Sequence, residues 1–234
     1  MWEPVVARLA EERDVIAVDM PGFGRSPALP DGVAPTPHAL AGAVARLLDA
    51  IGLDRVHVAG SSLGGWVALE LAKAGRALSV AAISSAGFWR RPLGPRPGPD
   101  RRTAGRLLLP VLSAVVRTRR GRNLLLRGSV AHPGRVPRRA AARLVRSYVT
   151  APAYEAANMA MRSAVFSGAE RIEVPVTLAW GSLDRLVSPP RTTPAGWATR
   201  VLHDCGHIPT WDDPEQVGRL LLEASARAPA ARTS

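Results

Sequence analysis

Five consecutive residues, Gly60-Ser61-Ser62-Leu63-Gly64, restrict what this chain can fold into more than any others. They follow the apolar run Val56-His57-Val58-Ala59 and precede a helix-like stretch over residues 66–74. A strand must therefore turn into a helix within a few residues. A Gly-x-Ser-x-Gly turn at such a junction puts its central residue, Ser62, in a strained conformation with the hydroxyl exposed. Side chains at Gly60 or Gly64 are expected to collide with the neighbouring strand or helix in so tight a bend. The N–H of Leu63 falls at the helix N-terminus, where anionic groups are stabilised. A plain Gly/Ser-rich loop would carry the same residues, so the motif counts only if the rest of the chain supplies its context.

The flanking pattern supplies it. Trp2, Val5, Val6 and Leu9 recur at helical spacing, and residues 15–18 read as a buried strand, too uniformly apolar for an exposed edge. Thr36-Pro37 reads as an N-cap followed by proline in the first helical position. Leu40, Val44, Leu47, Leu48 and Ile51 mark that helix's apolar face, and Gly52 stops it. Further strands are expected at 78–84, at 174–180 and near 200–203. Asp213-Pro214 opens a last helix with Val217, Leu220, Leu221 and Ala224 on one face. Strands alternating with helices imply an α/β architecture with a mostly parallel, doubly wound sheet. Its core is expected to span 1–87 and 166–226, followed by a disordered tail at 227–234.

Between those core segments the composition changes. Pro92, Pro95, Pro97 and Pro99 crowd a linker-like stretch, and helical pieces follow at 107–116, 138–149 and 154–165. Residues 88–165 hold 17 of the 31 basic residues and two acids, Asp100 and Glu155, a balance of 17 − 2 = +15. The rest of the chain is 14 − 17 = −3. Such an arginine bias is what a GC-rich genome produces, but it also makes a surface that attracts anionic lipid headgroups, nucleic acid or an acidic substrate. Few aromatic residues interleave with the arginines, so a nucleic-acid stacking platform is not expected. One cysteine, Cys205, precludes an intrachain disulfide and fits a reducing, cytoplasmic setting. The N-terminus has no signal-peptide pattern, and the most apolar stretch, 107–116, is too short to span a bilayer.

A serine hydroxyl needs a base to become a nucleophile, and histidine is the usual one, oriented by a carboxylate. Asp184 lies just beyond the strand ending at Trp180, where catalytic groups gather in open parallel sheets. His207 follows the last expected strand and precedes the last helix. The other histidines fit less well: His57 lies within a strand, His38 opens a helix, His132 sits in the basic insertion and His203 belongs to the final strand. Asp204, Asp212 and Asp213 are accounted for by turn and cap roles, and Cys205 by packing.

Four segments together resemble the α/β-hydrolase superfamily. They are Gly60-Ser61-Ser62-Leu63-Gly64-Gly65, Asp19-Met20-Pro21-Gly22-Phe23-Gly24-Arg25-Ser26, Trp180-Gly181-Ser182-Leu183-Asp184, and the run from Gly206-His207-Ile208 to Pro214. More narrowly they are similar to the bacterial branch containing small esterases, epoxide-hydrolase-like proteins and C–C hydrolases. The resemblance covers 1–87 and 166–226. It implies Ser62 as nucleophile, Asp184 as acid, His207 as base and residues 88–165 as a helical cap, with no cofactor and no metal. Serine at position 62 departs from the dehalogenase and epoxide hydrolase branches, whose nucleophile is an aspartate.

The resemblance also implies a preceding strand and a His-Gly loop that this chain lacks. That loop would supply the second oxyanion-hole donor beside Leu63 N–H. The missing strand would lie between the strand at 15–18 and that at 56–59. Its loss would leave two buried strands unpaired or force them together. A start site placed too late, a degenerate relative and a rearranged sheet are the alternatives. The interval from acid to base, 207 − 184 = 23 residues, is short, so the helix expected around 193–198 is trimmed. The expected activity is a serine hydrolase acting through an acyl-enzyme on a small hydrophobic ester, thioester or activated C–C substrate. The alternatives are an impaired binding protein on the same scaffold and a fragment of a longer enzyme.

Overall fold

A computed structural model describes residues 1–95 and 101–227. Its centre is a four-stranded parallel sheet in the order β1-β2-β3-β4, formed by Val56–Ser61, Ala77–Ile83, Val176–Gly181 and Ala198–Leu202. Every crossover in such a sheet must pass over a face, and helices cover both faces. One is covered by α1 (Glu3–Ala10) and the last helix, α9 (Pro214–Ala226), through a core of Val5, Ala81, Ile83, Leu202, Val217 and Leu221. The other is covered by α2 (Pro37–Ala50) and α3 (Leu63–Lys73), through Leu40, Val67, Leu69, Val80, Ala82 and Leu178. Strands β2 and β3 are buried along nearly their whole length, which is why they read as continuous apolar runs.

Local signals fix several boundaries. Thr36 Oγ1 accepts from Ala39 N–H at 3.1 Å, and Pro37 follows where no N–H is required. Asp213 Oδ1 accepts from Gln216 N–H at 2.8 Å at the start of α9. Between β3 and β4 the chain runs through turns with no helix at 193–198.

Residues 15–18 correct an expectation. They are not a strand and are not buried; Ile16 is 49% exposed. The two runs flanking the expected gap neither stay buried nor pair with each other. β1 is an edge strand with β2 alone beside it, and 15–18 stays single. An apolar β-branched run is a strand only where a neighbour satisfies its backbone, and none of the described residues does so here.

Between β2 and β3 the described residues form five α-helices: α4 (Arg101–Leu107), α5 (Leu109–Val115), α6 (Arg119–Leu126), α7 (Arg138–Thr150) and α8 (Tyr154–Arg162). Helices α4 to α7 enclose a separate core of Val116, Leu126, Val136, Ala141, Val145 and Val149, and α8 packs against α2. Buried Arg102 ties α4 to the end of α7. It donates to the carbonyls of Tyr148 at 2.9 Å and Val149 at 3.2 Å, and to that of Ala151. Its guanidinium also lies over the Tyr154 ring, 4.7 Å from the centroid. Helix α6 was not expected from the sequence. Pro97 and Pro99 of the linker-like stretch, and the tail beyond 227, lie outside the described residues.

Candidate functional site

The turn after β1 holds Ser62 at φ 56° and ψ −120°, a conformation L residues rarely adopt. Backbone bonds on both sides maintain it. Ser62 N–H donates to Ile83 O at 2.9 Å, and Ser62 O accepts from Gly65, Ala86 and Trp66 N–H at 3.0, 3.1 and 3.3 Å. The two motif glycines differ. A Cβ on Gly60 would run into the Gly64 carbonyl and stand 2.7 Å from Gly65 N, as expected. A Cβ on Gly64 would meet nothing within 4 Å, which corrects the expectation for that residue. The close approach falls instead at Gly65, whose Cβ would lie 2.8 Å from that of Ser85. Leu63 N–H opens α3 and makes no hydrogen bond among the described residues.

Asp184 and His207 meet. Ser182 N–H donates to Leu202 O and Leu183 N–H to Cys205 O, each at 2.9 Å, so the loops after β3 and β4 run side by side. Gly181 makes this contact possible, because a Cβ there would collide with the carbonyls of Cys205 and Gly206. Asp184 Oδ2 then accepts from His207 Nδ1 at 2.9 Å. Its Oδ1 accepts from the N–H groups of Leu186 at 2.8 Å and Val187 at 3.1 Å. The Asp184 side chain is 1% exposed. Burial alone would raise its pKa, but the hydrogen bond and charge of His207 and the two backbone donors outweigh it, holding the carboxyl below the usual range. An ionised carboxylate only accepts, so the proton resides on His207 Nδ1 and Nε2 is left as the basic nitrogen.

Ser62 Oγ is not hydrogen-bonded to His207, nor to any other described residue. Serine and histidine stand at the ends of β1 and β4, the two outer strands of the sheet. Three of the other histidines have separate partners. His57 Nδ1 is 2.9 Å from Ser79 Oγ within the sheet, and burial lowers its pKa. His132 Nε2 is 2.7 Å from Asp204 Oδ2, and His38 faces Glu70 at 3.5 Å. Cys205 is fully buried, and that burial, with Asp212, Asp213 and Asp204 around it, pushes its thiol up to about 12. Such a group is no nucleophile.

Sequence reasoning passed over Asp212, which does more than end a turn. Its carboxylate accepts from Gly206 N–H at 2.8 Å on the histidine loop, and from His132 N–H at 2.9 Å and Ala131 N–H at 3.0 Å on the loop after α6. Ile208 N–H also donates to Ser129 O at 2.7 Å. Gly206 is needed for the approach, since a Cβ there would stand 2.7 Å from Ala131 N. Beside this joint lies a cavity of about 70 Å³ lined by Arg127, Val130, Leu183 and Arg185 among others.

Three comparisons bear on this arrangement. The model of the alpha/beta hydrolase family matches residues 1–220. An epoxide hydrolase, EphH, of Mycobacterium tuberculosis is 32% identical over 197 residues, which are 78% of this chain and 91% of the relative. Among solved structures, a bacterial membrane phospholipase A superposes with a TM-score of 0.69 at 26% identity, covering 97% of this chain and 75% of the other. An esterase of Thermogutta terrifontis superposes at 0.67 with 25% identity, covering 95% and 83%.

Proposed function

Since the chain belongs to the alpha/beta hydrolase family, we propose that it is a serine hydrolase in which Ser62 is the nucleophile, His207 the base and Asp184 the residue that orients the base and stabilises its cation. The observation that carries this reading is the Asp184–His207 pair: a buried carboxylate kept ionised by three N–H donors, with the imidazole proton held away from Nε2. Ser62 Oγ attacks the substrate carbonyl while Nε2 takes its proton. The tetrahedral oxyanion forms against Leu63 N–H at the start of α3. Collapse expels the leaving group, which takes the proton back from Nε2, and leaves an acyl group on Ser62. Water, deprotonated by His207, attacks the acyl carbon and releases the acid and free Ser62.

Residue 62 also selects the substrate class. The relative named as an epoxide hydrolase does not transfer that activity to this chain, because a serine stands where the resemblance assigns epoxide hydrolases an aspartate. An acyl substrate fits better: a small hydrophobic ester, thioester or activated C–C bond. The structure named as an esterase supports the ester. The helices α4–α8 would act as a cap over the site.

A fluorophosphonate probe should label the protein once, at Ser62, and Ser62→Ala should abolish both labelling and turnover of a short-chain p-nitrophenyl ester. Absence of labelling on folded protein would overturn the proposal. Asp184→Asn should lower kcat by about 10⁴-fold, through loss of the correct tautomer. One observation favours a second reading, a ligand-binding protein without turnover: Ser62 Oγ has no hydrogen bond among the described residues. Its signature is acyl-ligand binding that Ser62→Ala leaves unchanged, with no hydrolysis by the wild type.

A further inference from the structure

Helices α4 and α5 form a nearly continuous rod. Leu108 N–H donates to Ala104 O at 3.0 Å, and Leu112 N–H to Leu108 O at 2.9 Å across the junction. One side of the rod packs inward through Gly105, Leu112 and Val116. The opposite side should be polar on a helix that faces water. Instead Ala104, Leu107, Leu108, Val111, Ala114 and Val115 recur there at helical spacing, all exposed, Leu107 at 82% and Val111 at 57%. Arg102 and the inner apolar face hold the rod in place, so the exposed stripe is not what anchors it. Beyond the rod the exposed side chains include Leu124 and the arginines 117, 119, 120 and 127, and none of these arginines is in an ion pair among the described residues.

We propose that this face of the insertion docks on a bilayer surface rich in anionic lipid, the stripe entering the acyl boundary and the arginines lying on the phosphates. Charge decides the occupant. Residues 88–165 carry 17 arginines and two acids. A second copy laid on this face would set two strongly basic surfaces against each other. Nucleic acid would satisfy the arginines and leave the stripe in water. An anionic amphiphile surface satisfies both. The rod lies on the membrane and does not cross it: it runs from Arg101 to Val115, whereas a span needs about 20 apolar residues, and no described helix is long and apolar enough.

The full chain should co-sediment with vesicles of phosphatidylglycerol and phosphatidylcholine, weakly with phosphatidylcholine alone, and less as salt rises. Leu107→Glu with Val111→Glu, and separately Arg119→Glu with Arg120→Glu, should each weaken binding to the anionic vesicles by about tenfold or more. Unchanged melting temperatures confirm that the variants fold. Ser62→Ala should bind as the wild type does, which separates docking from catalysis. Failure of the wild type to bind anionic vesicles, equal binding to neutral ones, or both variant pairs binding normally overturns the proposal. So does a solution dimer that Leu107→Glu with Val111→Glu dissociates.

Discussion

Gly60 and Gly64 hold equivalent places in the motif and unequal ones in the molecule. Gly60→Ala forces a Cβ onto the Gly64 carbonyl and should cost about 1–3 kcal/mol, read as a lower melting temperature. Gly64→Ala adds a methyl in open space on a helix and should leave stability unchanged or raise it by up to about 1 kcal/mol. Titration separates two further residues. Asp184 is held below 3.8, the ordinary value, so its contribution to stability is complete above that pH and is lost as pH falls through its lowered value. Acid unfolding of Asp184→Asn should therefore be shallower there. Cys205 behaves oppositely. The unfolded thiol ionises near 9.0 while the folded one resists until about 12, so stability should decline between those limits, by up to about 1.4 kcal/mol per pH unit. Cys205→Ala should flatten that part of a denaturation series run from pH 8 to 11.

Among elements, the joint between the histidine loop and the insertion rests on Asp212. Asp212→Ala would leave three backbone donors without their acceptor and should cost about 2–4 kcal/mol in urea denaturation. Amide exchange at Ala131, His132 and Gly206 should quicken. Nothing near Asp212 in the sequence announces this, because two of its partners are 80 and 81 residues away. Elements whose signal is contained in their own residues were legible: Thr36-Pro37 opening α2, Asp213-Pro214 opening α9, the strand before Ser62 and the pairing of Asp184 with His207. Residues 15–18 were misread because burial of a strand is a property of its neighbours, and β-branched side chains cannot report a neighbour. Helix α6 was missed because its three arginines hide a short apolar face. Its one local signal was Thr118, whose Oγ1 accepts from Gly121 N–H at 2.9 Å. The stretch 107–116 was legible as apolar and helical, but not which way its side chains face. Leu112 and Val116 join the core while Leu107, Leu108, Val111 and Val115 face solvent, a division that needs the helix axis and not the composition.

For the whole molecule, the edge of β1 and the exposed run at 15–18 are surfaces open to strand pairing with other chains. Ile16→Lys with Val18→Lys should reduce light scattering of concentrated samples and leave the melting temperature within about 1 kcal/mol-equivalent of the wild type, as expected of exposed positions. The pairing of α1 with α9 has a different kind of consequence. Val5, 1% exposed, is buried against Val217, Leu220 and Leu221. Helix α1 therefore packs on α9, which is synthesised much later. At about 5–20 residues per second, some tens of seconds of synthesis separate them. Through that interval Trp2, Val5 and Leu9 are a bare apolar strip on a growing chain, open to a chaperone at the ribosomal exit, and this part of the core closes only once α9 has emerged.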